Sequence, residues 1–346
     1  MRNVLITGGA GFFGDLLKRR LLDEGFRCTS VDLEADEFSH PNLDSIQGDI
    51  RDRDLMNRTC EDAGFEGIFH CAAILAHGHH DHEFLWSSNV EGTRAVAETA
   101  RDQGIPKIVF TSSNCLWGEA FDRPVREDDA PNPVEIYGKS KWEAEKVLEE
   151  YQDDVKSVSI RCPTIMDAGR LGLLAILFEF IDEGRKVWVV GGGDNRYQFI
   201  YGQDLATACI LALDYDGPHT VFNIGSDDVK SFREVYEYVI DKAGTKARVA
   251  RLPKGPAIAM MKLAYALKLS PLGPYQYKMI AESFVFDTSR IKAELDWEPT
   301  VTNEEMLYKA YKYYHDHLDE IRSRKNVSAH KQAADMGIIK VLKWFS

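Results

Sequence analysis

Tyr137 and Lys141 stand four residues apart in Ile-Tyr-Gly-Lys-Ser-Lys, so a helix at this point presents both on one face. An ammonium beside a phenol favours the phenolate and draws its pKa down. A phenol tuned in this way can pass a proton to or from a carbinol oxygen while a hydride moves on the attached carbon. Upstream, the apolar run 105–111 leads into Thr-Ser-Ser, where Ser113 offers a hydroxyl that can hold the same oxygen from the other side. Tyr-x-x-x-Lys is common on ordinary helices. It gains meaning from the second constellation in the chain.

That constellation begins at the N-terminus. Val4, Leu5 and Ile6 form a short apolar run of the kind found in buried parallel strands, and Gly8, Gly11 and Gly14 follow at every third position. An amphipathic segment from Phe12 to Glu24 comes next. A glycine turn lets backbone approach a pyrophosphate, and the following helix aims its free N–H groups at that charge. The next strand, 27–32, ends in Asp32, where a carboxylate would accept the hydroxyls of an adenosine ribose. Glu34, Asp36 and Glu37 follow, with no arginine before Arg51. Such a loop repels a 2′-phosphate, so NAD rather than NADP is expected. A solvated acidic loop would explain the run but not an acid at the end of the strand.

The elements that must position these groups alternate. Strands are predicted at 3–7, 27–32, 44–47, 66–70, 105–111 and 155–161, and helices at 12–24, 52–62, 84–102 and 137–150. This alternation implies an α/β protein with a Rossmann-type, doubly wound parallel sheet. The expected division is a dinucleotide-binding domain over 1–165 that also takes back about 198–225. A smaller, mostly helical C-terminal substrate lobe follows from 166–197 and 226–325, with an amphipathic tail at 326–346. The apolar segment Leu171–Ile181 reads as a packed helix of that lobe, and 252–279, rich in Pro, Met, Leu and Tyr, should cap its pocket. Ser231-Phe-Arg-Glu234 is a capping box that starts a helix.

With 346 residues, 44% apolar and 28% charged, the chain has the composition of a soluble globular protein. A net charge of −13 disfavours nucleic acid as a partner. The six cysteines show no paired spacing and read as reduced core thiols of a cytoplasmic protein. Residues 1–7 already form a strand, which leaves no signal peptide, and no apolar run reaches the ~20 residues of a membrane span. His77, His79, His80 and His82 sit together with Asp81, but no outside ligand completes a metal set, and none is expected.

Taken together, Thr7 to Gly14, Asp32, Asp49, His70-Cys-Ala-Ala73, Asn89, Ser113, Tyr137 and Lys141 resemble the extended short-chain dehydrogenase/reductases, the NAD-dependent epimerase/dehydratase branch. Late segments fit as well: Phe199 to Ala206, Phe222-Asn-Ile-Gly225 and Leu295-Asp-Trp-Glu-Pro299. The likeness spans about residues 1–320. It implies that Ser113, Tyr137 and Lys141 are catalytic. It implies an NAD site of Gly8, Gly11, Phe12, Phe13, Gly14, Asp32, Asp49, Ile50, Cys71, Ala72, Ala73, Asn89, Tyr137, Lys141, Pro163 and Thr164. Ser113, Asn114, His77, Arg170 and Arg196 would face the substrate. Helices 84–102 and 137–150 would form a homodimer, as in many relatives.

Departures from the family pattern narrow the expectation. The 4,6-dehydratases carry Asp-Glu after the active hydroxyl residue, whereas this chain has Asn114-Cys115, so dehydration is not expected. Nucleotide-sugar enzymes present an asparagine after the sixth strand, where this chain reads Arg161-Cys-Pro163-Thr164. Of the two arginines that grip a sugar diphosphate, Arg196 is one residue off with Tyr197 in the slot, and the second is absent from Tyr275 to Ala281. Arg170, Arg196 or Lys278 could rebuild that grip. The expected activity is reversible NAD-dependent hydride transfer at a secondary alcohol or ketone, first of all 4-epimerisation of a nucleotide sugar. The alternative enzyme is a hydroxysteroid- or ketolipid-type dehydrogenase or reductase. A non-catalytic NAD-sensing protein is the alternative of another class, and the intact Ser113, Tyr137 and Lys141 argue against it.

The tail ends in Gly337-Ile-Ile-Lys-Val-Leu-Lys-Trp-Phe-Ser346, with Ile338, Val341, Leu342 and Phe345 on one helical face. Such a basic amphipathic segment suits weak contact with the inner face of a membrane, or docking on the chain's own lobe or on a dimer mate.

Overall fold

The computed structural model describes residues 1–75, 81–118, 121–267 and 279–323. Seven parallel strands form the central sheet: β1 Asn3–Thr7, β2 Arg27–Asp32, β3 Leu43–Gln47, β4 Gly67–His70, β5 Lys107–Ser113, β6 Lys156–Cys162 and, later, Val221–Asn223. The three-residue strand Val221–Asn223 pairs with β6 at one edge, and the order from the other edge is β3-β2-β1-β4-β5-β6. The direction of winding therefore reverses between β1 and β4. Beyond the C-terminal ends of two such strands an open α/β sheet leaves a crevice.

Side-chain alternation along β1 builds two cores. Val4 and Ile6 join Leu17, Leu21, Phe69, Val109 and Ile160 on one face, while Leu5 joins Ile68, Val96, Ile108, Phe110 and Leu148 on the other. The first face is covered by α1, Phe12–Asp23, and the second by helices between β3 and β6. These are α2 Arg53–Cys60, α3 His82–Trp86, α4 Gly92–Asp102 and α5 Ile136–Glu150.

The expected helix 84–102 is three pieces. Asp81 caps α3 by accepting from the Phe84 amide at 2.9 Å, and a π-turn at Ser87–Glu91 separates α3 from α4. The extra residue in that turn is where Asn89 sits, and π-turns of this kind gather at functional sites. Strand β5 also runs two residues past its expected end. Ser112 and Ser113 pair with Arg161 and Cys162, so the ladder with β6 overrides the weak strand preference of serine.

A further core is formed by α6 Leu174–Asp182, β8 Lys186–Val190, α8 Phe232–Ala243 and the helix Asn303–Asp316, packed through Phe178, Val187, Val239, Leu307 and Tyr311. The Ser231/Glu234 capping box starts α8 as expected. The helix α7, Gly202–Asp214, ties this part to the sheet. Asp204 accepts from the Thr300 amide at 2.8 Å and its hydroxyl at 2.6 Å, and Trp297 Nε1 donates to the Asp204 carbonyl at 2.9 Å. Among the described residues no helix is long and apolar enough to cross a membrane.

Candidate active site

Gly8 has φ +76°, and a Cβ there would lie 2.6 Å from the backbone of Ala72. Only glycine lets the first turn touch the loop after β4. Gly14 works differently: a Cβ on it would meet the Gly8 carbonyl at 2.0 Å, so it lets α1 pack under the turn. Its neighbour Phe13 points into the core with Val4 and Leu17 rather than toward a ligand.

Gly8, Gly11, Asp32, Asp49, Ile50, Cys71, Ala72 and Ala73 line one open cleft, together with Val31, Leu33, Gly48, Ile74 and Ser88. The cleft lies at the switch between β1 and β4. Asp32 accepts from the Ala10 amide at 2.9 Å and the Glu34 amide at 3.0 Å, which fixes its carboxylate at the rim. The buried Ser88 hydroxyl, on the cleft wall, has no hydrogen-bond partner among the described residues. A glycine cradle, a fixed carboxylate and an orphan hydroxyl in one crevice fit a dinucleotide.

Asp36 of the acidic stretch, and Asp49 after β3, are compensated. Lys18 is fully buried, donates to the Gly9 carbonyl at 2.9 Å and pairs with Asp36. Its ammonium and a Ser45 hydroxyl hold the Asp36 carboxyl below the usual range against the opposing effect of burial. Asp49 is clamped by Arg51, with Nη2 to Oδ2 at 2.6 Å, and Arg51 holds its carboxyl low as well. The repulsion of a 2′-phosphate therefore rests on Asp32 and Glu34 more than on the whole run. Lys18 was legible in principle, because it falls on the inward face of α1 beside Leu17, Leu21 and Leu22.

Asn89 is not part of the cleft lining. Its amide accepts from the Ile74 amide at 2.7 Å and donates to the Ile74 carbonyl at 3.0 Å and to Ser140 Oγ at 2.9 Å. All its capacity goes into holding the 71–74 loop to α5. Beneath that loop His70 is buried between Thr7 (2.6 Å) and Thr93 (2.8 Å). Thr93 spends its own proton on the Asn89 carbonyl, so His70 donates from Nε2 and accepts at Nδ1. Burial lowers its pKa to about 3, with a smaller push from Lys141. Pro163 and Thr164 follow β6 and lie outside the cleft lining, with Thr164 opening the short strand Thr164–Met166 that pairs with Phe199–Tyr201.

At the end of β5 the Ser113 hydroxyl accepts from the Cys115 amide at 3.1 Å and faces the phenol of Tyr137, in the first turn of α5. Gly138 makes this approach possible, since a Cβ there would lie 2.1 Å from the Cys115 carbonyl. Lys141 is buried one turn on, its Nζ 3.9 Å from the centre of the Phe110 ring and within electrostatic reach of Cys71 on the cleft wall. Burial lowers its pKa to about 8, opposed by Cys162, Cys71 and Glu145.

The expected tuning of Tyr137 is reversed. Burial drives its pKa well above 10, reinforced by Cys115 and Cys162, while Arg170 and the Ser113 hydroxyl pull it down. Desolvation of the phenolate outweighs the nearby cations. Arg170 is thus brought to the site, its guanidinium 5.6 Å from the Phe12 ring at the start of α1.

Arg196 is not. It lies in an extended segment, so its neighbour Tyr197 points inward and Arg196 outward. Arg196 is exposed and lowers the pKa of Glu234 on the outer surface. In its place Tyr197 Oη accepts from Asn114 Nδ2 at 2.6 Å, backed by Phe232 and Phe284. The Arg161 guanidinium is buried against Glu145 of α5, with Nη2 to Oε2 at 2.7 Å. His77, and Lys278 of the rebuilt grip, lie outside the described residues.

In comparison with known proteins, residues 4–225 match the model of the NAD dependent epimerase/dehydratase family. An uncharacterized protein of Sinorhizobium fredii is 36% identical over 316 residues, 91% of this chain and 79% of that one. A UDP-glucose 4-epimerase of Mycolicibacterium smegmatis is 27% identical over 329 residues, 90% of this chain and 97% of the relative. The crystal structure of the Bordetella bronchiseptica enzyme WbmG in complex with NAD shares the fold. Its TM-score is 0.75 at 23% identity, covering 91% of this chain and 94% of that one.

Proposed function

Since the chain belongs to the NAD-dependent epimerase/dehydratase family, with NAD as its cofactor, we propose that it moves a hydride reversibly at a secondary carbinol of a small substrate. The preferred substrate class is a nucleotide-linked sugar, with inversion at C4. The observation that carries this reading is that the Ser113 and Tyr137 hydroxyls face each other beside Lys141, next to Cys71 of the glycine-turn cleft. Likeness to a UDP-glucose 4-epimerase over 90% of the chain supports it.

NAD, when bound, supplies the hydride acceptor. The residues of the chain do the rest. Gly8, Gly11 and the N-terminus of α1 hold the pyrophosphate, Asp32 and Ser88 offer hydrogen-bond partners along the cleft, and Lys141 holds the second ribose. Ser113 orients the substrate oxygen, and Tyr137 takes its proton and gives it back. Burial favours the phenol, which serves the reducing half-step; the oxidising half-step needs the phenolate, which Arg170 and the positive charge of a bound nicotinamide ring would favour. Asn114, donating to Tyr197, has no carboxyl to eliminate water, which leaves epimerisation or net oxidation or reduction.

A second reading rests on that same pair. Tyr197 fills the slot of an arginine and brings an aromatic wall, which suits a hydroxysteroid- or ketolipid-type substrate. Incubation with UDP-sugars and no added NAD separates the two. An epimerase converts UDP-glucose to a C4-inverted product with its retained cofactor, whereas a dehydrogenase turns over only as NAD is consumed. Tyr137→Phe should lower turnover by at least ~10²-fold with NAD binding unchanged. Near-normal turnover in that variant would refute the catalytic assignment.

A further inference from the structure

Nine large apolar side chains stand exposed among the described residues, and four of them fall between 260 and 267. They belong to the helix α9, Lys254–Ala266, and the residue after it. One side of α9 is used: Ala257, Ile258 and Met261 pack with Val190, Leu252 and Ile280. Met260, Leu263 and Leu267, at i, i+3 and i+7, form a separate stripe and are 61%, 61% and 59% exposed. An amphipathic helix normally turns charge to water on its outer side; this one turns a second apolar stripe.

Charge around the stripe points to the partner. From Lys242 to Ala281 the sequence holds no Asp or Glu and eight Lys or Arg, at 242, 246, 248, 251, 254, 262, 268 and 278. This occurs in a chain whose net charge is −13. Arg248 and Arg251 of the strand Arg248–Leu252, and Lys254 and Lys262 of α9, are all exposed.

We propose that this face docks on an anionic lipid bilayer, with α9 lying in the plane of the interface. Met260, Leu263 and Leu267 enter the acyl boundary, and Arg248, Arg251, Lys254 and Lys262 meet the lipid phosphates. A second copy of the chain would bring the same basic patch to a twofold contact, where like charges repel. The sequence 337–346, with Lys340, Lys343 and Trp344, has a similar character, so the two segments must be tested apart. The inference does not depend on the proposed chemistry, because its test reads binding and not turnover.

The full-length chain is floated with vesicles of phosphatidylcholine alone and of phosphatidylcholine with phosphatidylglycerol. Three forms are compared: wild type, Met260→Glu/Leu263→Glu/Leu267→Glu, and the tail variant Val341→Glu/Phe345→Glu. NAD binding by each form reports that it is folded. Wild type and the tail variant should float with the phosphatidylglycerol vesicles at low salt and fall away at high salt. The α9 variant should bind at least ~10-fold more weakly. The proposal is overturned if wild type floats with neither vesicle or if the α9 variant floats like wild type. It is equally overturned if light scattering shows that the α9 substitutions only dissociate an oligomer.

Discussion

Replacing Arg161 by Met removes one half of a buried ion pair between β6 and α5. The guanidinium donates to Glu145 through Nε (3.0 Å) and Nη2 (2.7 Å), and to the Glu127 carbonyl through Nη1 (2.9 Å). The Ser112 hydroxyl, one residue before Ser113, donates to the same carboxylate. Both charged side chains are about 5% exposed or less, so solvent screens the pair little. In Arg161→Met the Glu145 carboxylate keeps one hydroxyl donor and no cation in hydrogen-bond contact. Breaking a buried pair in this way costs ~3–5 kcal/mol, most of it the penalty of the charge left behind. If so, Arg161→Met/Glu145→Gln, which buries no charge, should recover at least ~2 kcal/mol of the loss. Urea unfolding of wild type, both single variants and the double variant measures this. NAD affinity should stay the same, because neither side chain lines the cleft. A loss below ~1 kcal/mol for Arg161→Met, or losses that simply add in the double variant, would refute the reasoning.

Asp32→Ala should narrow the preference for NAD over NADP by at least ~10-fold, about 1.4 kcal/mol of removed repulsion, in a binding titration; equal wild-type affinities would overturn the assignment. His70 stays neutral in the fold to about pH 3, while the unfolded chain protonates it below its ordinary 6.5. Stability is therefore full above pH 6.5 and is lost as pH falls through that window. Between roughly pH 6.5 and 4.5 this one residue should remove about 2 kcal/mol, so His70→Gln should flatten the acid limb of unfolding free energy against pH. An acid limb unchanged in the variant would show that other groups drive it. For assembly, a homodimer through α3, α4 and α5 is expected at micromolar concentration, and light scattering that shows monomer alone would count against it.

Much of this protein is written locally. Val4 to Ile6, the glycines at 8, 11 and 14, and Asp32 at the end of β2 carry the crevice within thirty-odd residues of sequence. Their meaning follows from backbone sterics and strand periodicity that need no partner. The spacing of Tyr137 and Lys141 is legible for the same reason, and apolar runs mark the central strands. Late segments such as Gln203-Asp204 and Trp297 to Thr300 were legible only through family likeness, since their contact joins residues far apart in the chain.

Direction and dielectric were decided by tertiary structure. Whether Arg170 or Arg196 meets the substrate depends on which way each backbone segment turns once paired, and one residue of alternation sends Arg196 to solvent and Tyr197 inward. Asn89 and Lys18 look like surface or ligand-binding groups in sequence. The π-turn and the inner face of α1 bury them, where their hydrogen bonds hold the loops that shape the cleft. The sign of the Tyr137 shift is the clearest case. Spacing places a cation nearby and predicts a lowered pKa, but the energy of a phenolate also depends on how much water the whole fold removes from it. No stretch of sequence sets that quantity, and here burial wins.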